Sequence, residues 1–444
     1  MRTPRHIVAA VALLAATGAG ADTVEVTSTT LVSAGQQTRD RRLGEDPDLV
    51  TVVPAYEIVS ITARDIRTKV ADDLQLQLSG WGSYDFDSLR WDNGTSEALT
   101  GDLMSAQVQA KFLDRRLTLR LGREHVMSGV ARMIQIDGGE AILVLPGGFR
   151  LSGYVGSPVA QRFASRSGVK SWNPAGGDFA YGGRVGWSLA IPGHAGRGLD
   201  VGASANVVED AGDPVRQEVG ADFRLQPLQD VSFTGFGAFS VYDERFSEAS
   251  VAARWKPVHR LEVTADWRFL APDLFLARNS ILSVFSASTR KEYGVGLDYE
   301  LGRGLSVGAD YHLSVEPGET AEDDSYLGHD LVMRADWTRG ATDAGAEITY
   351  LDALENGYWA GRLYGKQGFG KVFAAADVMS YFFKEDVNGE SFAVTGSLSG
   401  GIELARGFSA VLAGRAGVTP YMEQTYDVMA KLVYNQTYTV REVR

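Results

Sequence analysis

The sequence predicts an all-β chain closed into a transmembrane, antiparallel up-and-down barrel of about twenty strands (18–22). Two observations carry this. Apolar and polar residues alternate one by one in segment after segment, almost to the last residue, and period two is strand periodicity. Beyond the N-terminal leader, no uncharged apolar run of about 18 residues occurs, so no spanning helix is expected. The mean hydropathy of −0.11 agrees, because half of every barrel strand is polar. A soluble core has no use for so many half-polar strands. In a membrane the apolar faces meet lipid, the polar faces line the lumen, and closure satisfies every backbone group.

Residues 1–21 read as a signal peptide: Arg2 and Arg5, an apolar stretch over 7–16, then Ala19-Gly20-Ala21 before a cleavage point at Asp22. Residues 22–54 form a leader or a first strand and loop, with weak alternation at Val24, Val26, Thr30 and Val32 and a charged stretch over 38–54. The barrel proper is expected over 55–444. A strand over 56–66 returns from the loop. Leu74, Leu76 and Leu78 then oppose Gln75, Gln77 and Ser79, in a strand running on to Phe86.

The hairpin over 103–124 is the clearest unit. Met104, Ala106, Val108, Ala110 and Phe112 share one face, and Ser105, Gln107, Gln109 and Lys111 the other. After a turn at Asp114-Arg115-Arg116, Leu117, Leu119 and Leu121 oppose Thr118, Arg120 and Gly122. Strands follow over 134–145 and 149–156 around Pro146-Gly147-Gly148, then over 179–189, 199–207, 219–225, 231–242 and 251–255. Leu261, Val263, Ala265, Trp267 and Phe269 oppose Glu262, Thr264, Asp266 and Arg268 without a break. The pattern continues over 292–301, 305–313, 330–337, 346–350, 358–364, 372–383, 392–404, 408–418 and 426–438. Short turns, such as Gly302-Arg303-Gly304 and Ala405-Arg406-Gly407, alternate with longer polar segments over 87–100, 158–178, 316–326 and 384–390. Short turns on one side and long loops on the other are what outer-membrane barrels show.

Six stretches carry a resemblance: AYEIVSITARDI (55–66), LSGWGSYDF (78–86), LRLGREHV (119–126), IDGGEAI (136–142), PGGFRLSGYVGSPV (146–159) and APDLFLARNSILSVF (271–285). They resemble porin-like outer-membrane barrels of Gram-negative bacteria, more narrowly large barrels from delta-proteobacterial genomes. The LGRE and DGG stretches are also similar to alginate-export-type barrels. The resemblance implies architecture and no chemistry. One departure stands out: such barrels usually end on an aromatic residue, whereas here Tyr438 is followed by residues 439–444.

Several chemistries find no support. The 444 residues include no cysteine, which excludes disulfides, thiolate metal sites and cysteine nucleophiles. The formal charge of −13, or −15 without Arg2 and Arg5, disfavours nucleic acid as a partner. The histidines lack zinc-ligand spacing, and no hydrolase, zincin or P-loop motif occurs. His329-Asp330 with Asp323-Asp324 allows an acid–histidine barrel protease, but a solvated acidic loop followed by a lumen aspartate is preferred. Ca²⁺ binding by that loop has no motif behind it. No catalytic residue, metal or cofactor is therefore expected.

Inward positions are expected for Arg120, Arg184, Arg224, Arg254, Arg268 and Arg334, and for Glu262, Asp266, Asp298, Glu300, Asp336 and Glu347. They are candidate pore-lining residues, because charge on the lipid face is costly. The segment 271–288 is too apolar for an exposed loop. Leu274, Phe275, Arg278, Ile281 and Phe285 make it a candidate constriction, with strand extension and partner docking as the competing readings. The expected function is an outer-membrane channel for hydrophilic solutes or a polymer. The alternatives are the exit of a polysaccharide export system and a barrel sheathing a multihaem cytochrome or motility complex. Expected partners are membrane lipid and lipopolysaccharide, with a periplasmic export component or cytochrome under the alternatives.

Overall fold

The computed structural model describes residues 21–38, 49–66, 68–86, 99–164, 168–172, 178–190, 198–210, 212–271, 289–316, 326–353, 356–404, 407–420 and 422–439. The described residues open with β1 (Ala21–Thr38). β2 (Leu49–Val52) and β3 (Pro54–Ile66) follow on one path interrupted at Val53. Then come β4 (Asp73–Asp85), β5 (Leu99–Phe112), β6 (Leu117–Val126), β7 (Ile134–Val144) and β8 (Phe149–Pro158). β9 (Ala160–Ala164) and β10 (Gly168–Trp172) pair only with each other. The wall resumes with β11 (Phe179–Ala190), β12 (Gly198–Asp210), β13 (Asp213–Leu228), β14 (Val231–Ser240), β15 (Arg245–Val258) and β16 (Leu261–Leu270). It continues through β17 (Arg290–Gly302), β18 (Leu305–Glu316), β19 (Tyr326–Arg339), β20 (Thr342–Asp352) and β21 (Gly357–Phe369). It ends with β22 (Val372–Val387), β23 (Glu390–Glu403), β24 (Phe408–Thr419) and β25 (Met422–Thr439).

Each wall strand pairs antiparallel with the next, and β1 pairs with both β3 and β25, from Thr23↔Thr439 to Gly35↔Asp427. Counting β2 and β3 as one path and setting β9 and β10 aside, the wall is a closed barrel of 22 strands. That lies at the top of the expected range. The weakly alternating N-terminal stretch supplies the closing strand β1, so no edge is left to template aggregation. Two expected loops contain regular structure. The 158–178 segment carries the β9–β10 hairpin. Across 384–390, β22 and β23 run on to Val387↔Glu390 around Asn388-Gly389, both at positive φ (52° and 83°), the backbone of a two-residue hairpin turn.

Directly opposed residues in antiparallel strands share a face, and the two faces of this sheet differ in chemistry. One carries exposed apolar side chains, among them Leu121, Leu363, Leu398 and Leu412. Aromatic residues on it sit near strand ends: Trp255, Tyr299, Trp337 and Phe369 toward the short turns, Tyr181, Trp359 and Tyr426 toward the other end. An apolar band flanked by aromatic girdles matches a bilayer. The opposite face is polar. Among the described residues no helix is long and apolar enough to cross a membrane.

Candidate pore wall and inward loop

The register aligns the polar residues in continuous rows. Gln75, Gln109, Arg120, Glu140, Tyr154, Gly182, Asn206 and Glu218 are opposed in turn from β4 to β13. A second row, Glu262, Asp298, Gly308, Arg334, Glu347 and Arg362, crosses β16 to β21. It opens on two opposed acids, Glu262 and Asp298, and alternates in charge from Asp298 on, with the single glycine leaving room for Arg334 beside Asp298.

The twelve charged residues singled out in the sequence all fall on this polar face. Arg120 bonds Glu140 at 2.8 Å and Gln109 at 2.9 Å. Arg184 spans two strands to Asp222 at 2.5 Å and Asp200 at 2.9 Å. Arg334 bridges Asp298 at 2.6 Å and Asp310 at 2.5 Å. Glu262 is held by Arg254 and, at 3.1 Å, by Lys256. Arg268 lies 3.6 Å from Glu292, and Asp266 lies 3.5 Å from His312. Arg224 opposes Asp200, and Glu300 opposes Ser306. Asp336 accepts the Tyr364 hydroxyl. Most of these arginines are thus tied to carboxylates, and between β16 and β20 acids outnumber bases. The five candidate constriction residues, Leu274, Phe275, Arg278, Ile281 and Phe285, lie outside the described residues.

A different segment packs on the polar face. Residues 127–133, between β6 and β7, fold inward around one 3-10 turn, Gly129–Ala131. Val130 is fully buried and its backbone N–H donates to Ser204 Oγ at 3.0 Å. Ser128 meets Ser152 of β8 at 3.2 Å. Arg132 reaches Glu218 of β13 at 3.0 Å and Glu248 of β15 at 2.9 Å, and its guanidinium lies 5.7 Å from the Phe236 ring of β14. Glu218 is itself almost fully buried and also accepts from Arg216 and Ser247, each at 2.7 Å.

Two glycines make this fit possible. Gly129 sits at φ 48°, and a Cβ there would stand 2.1 Å from Ser204 Oγ. A Cβ on Gly220 would stand 2.4 Å from the Val130 methyl. The geometry also fixes the side. Six strand steps separate β7 from β15, about 29 Å along the sheet. Arg132 lies two residues before β7, about 7 Å of chain, yet bridges to Glu248. Only a chord across the concave surface does that, so the loop lies inside the barrel.

Of the acid–histidine set, Asp323 and Asp324 lie outside the described residues, and His329 and Asp330 do not face one another. His329 bonds the Tyr311 hydroxyl at 2.8 Å, whereas Asp330 opposes His312 on the polar face. Adjacent strand residues point to opposite sides. Among the described residues no three His, Cys, Asp or Glu side chains gather to hold a metal ion.

No protein-family model matches the chain, and no curated protein matches it significantly. Among solved structures it is similar to the P pilus usher PapC translocation pore, at 10% identity and a TM-score of 0.49, covering 94% of this chain and 100% of that one. It is also similar to Acinetobacter baumannii OccAB4, at 8% identity and a TM-score of 0.47, covering 94% and 98%. Pseudomonas aeruginosa OccK5 stands at 10% identity and a TM-score of 0.44, covering 94% and 98%. Similarity at this level assigns neither substrate nor partner.

Proposed function

We propose that this chain is an outer-membrane channel that passes small hydrophilic solutes, without catalysis, and that the loop 127–133 sets its narrowest section. The observation that carries this is the combination of a 22-strand wall with a charged, hydrogen-bonded inner face. Eight strands leave an interior just filled by side chains, and 16 to 18 leave an aqueous channel, so 22 leave ample space unless it is occupied. Arg120, Arg184, Arg224, Arg254, Arg268 and Arg334, with the acids between them, line the path. Wall charge then sets ion preference, and the acidic surplus over β16 to β20 favours cations.

Reconstitution into a planar bilayer tests the proposal. The expected result is discrete, long-lived conductance steps with a reversal potential in a KCl gradient that marks K⁺ over Cl⁻. Folded barrel that inserts without conducting overturns it, and the lumen then belongs to a plug or a bound partner.

A further inference from the structure

Below the inward loop, the polar face of β4, β5 and β6 forms a recess of about 490 Å³. Its lining is unlike the rest of the wall. Elsewhere ion pairs dominate the polar face. Here four glutamines face one another, Gln75 against Gln109 and Gln77 against Gln107, with Ser79 against Ser105 above them. Gln107 donates to Gln77 at 2.7 Å, which leaves each amide with capacity for a guest. At the upper end stands Glu124. It is 2% exposed, and neither carboxylate oxygen has a hydrogen-bond partner among the described residues. A buried carboxylate without donors is costly and marks a place where donors are supplied from elsewhere.

We infer that this recess binds a neutral polyhydroxylated solute of one or two sugar rings in transit through the channel. The inference rests on the channel reading above. Its chemistry follows from the lining. A carboxyl group accepts from hydroxyls in either protonation state, so Glu124 calls for O–H groups. Amides and serine hydroxyls both donate and accept, as a sugar hydroxyl does. Glu124 and Glu140, the acid that Arg120 bonds, disfavour anions, while the Arg120 guanidinium on the recess wall disfavours cations. The volume falls within the range of about 300–1,000 Å³ of small-molecule sites.

The test uses the full-length barrel, refolded in detergent, and sucrose as probe, followed by saturation-transfer NMR. Citrate and choline serve as anionic and cationic comparators. Sucrose is expected to bind saturably and to outcompete both. Glu124→Gln should weaken it several-fold, and the Gln77→Leu/Gln107→Leu pair about tenfold through lost hydrogen bonds. Heat-modifiable gel migration shows that each variant is folded. The leucine pair keeps the test alive if the Glu124 variant fails to fold. No saturable sucrose signal, a signal unchanged in folded variants, or preference for citrate or choline overturns the inference. A barrel that binds sucrose but never conducts leaves the recess standing and removes the channel reading.

Discussion

Arg132 and Glu218, 86 residues apart in sequence, meet inside the barrel at 3.0 Å, with Glu248 as a second anchor at 2.9 Å. Hydrogen bonds to charged groups contribute about 1.5–3 kcal/mol each, so the pair is a charged latch on a seven-residue loop that is otherwise held by Val130 and Ser128. Arg132→Ala should release the loop and leave the wall intact, because Glu218 keeps Arg216 and Ser247 as donors. The expected outcome is larger, noisier single-channel conductance with unchanged heat-modifiable migration. Unaltered conductance in a folded variant places the narrowest section elsewhere.

The wall arginines make a separate prediction. Arg184 and Arg334 each neutralise two aspartates, Asp200 with Asp222 and Asp298 with Asp310. Replacing both arginines by glutamine leaves four carboxylates without their cations, inside a hydrated lumen where the cost is moderate. The reversal potential in a KCl gradient should move toward stronger cation preference, and the barrel should still fold. No movement argues that permeating ions do not touch these rows.

Much of the wall was legible because each strand carries its own pattern. In β16, Leu261 to Phe269 alternate against Glu262 to Arg268 without error, and no long-range information is needed to read that. β1 was harder, since Ser28 and Thr30 fall on the face that Val24 and Val26 make apolar. Structurally they are paired with Glu57, which accepts from both hydroxyls at 2.5 Å. The Asn388-Gly389 turn had a local signal, an Asn-Gly step between alternating segments, hidden by the surrounding charges of 384–390.

The inward loop had almost none. Its seven residues, MSGVARM, are too short for periodicity, and its partners lie 24 to 116 residues away. The one local clue is a glycine beside a break in alternation. The Gln recess was half legible: Gln75, Gln77, Gln107 and Gln109 were placed on one face. That Glu124 joins them is set by the register of β6 against β7, where it opposes Ile136.

Architecture and location can be checked together. The outer face offers exposed leucines across opposite parts of the barrel, and closure by β1 and β25 leaves no backbone edge. The protein should sediment with the outer membrane, require detergent for extraction, and migrate faster on a gel before boiling than after. Recovery as a soluble periplasmic protein contradicts the membrane assignment.

Val130 offers a way to move the loop without touching its charges. Its side chain is fully buried against the position Gly220 leaves open, and Glu218 lies in the same pocket region, joined to the loop through Arg132. Val130→Asp puts a second carboxylate close to the buried Glu218, at a cost of several kcal/mol if it stays buried. Leaving the wall is cheaper for the loop than remaining, because exposure restores hydration to the new aspartate. The barrel strands keep their ladder hydrogen bonds and should hold. Arg132 then becomes a usable trypsin site: the bond to Met133 is expected to resist cleavage in the native barrel and to be cut in the variant, giving two fragments that separate only after boiling. Conductance should rise to the level of Arg132→Ala, since both variants free the same segment. Equal trypsin resistance in the native and variant barrels means the loop stays on the wall without Val130, and the packing account of its position is wrong.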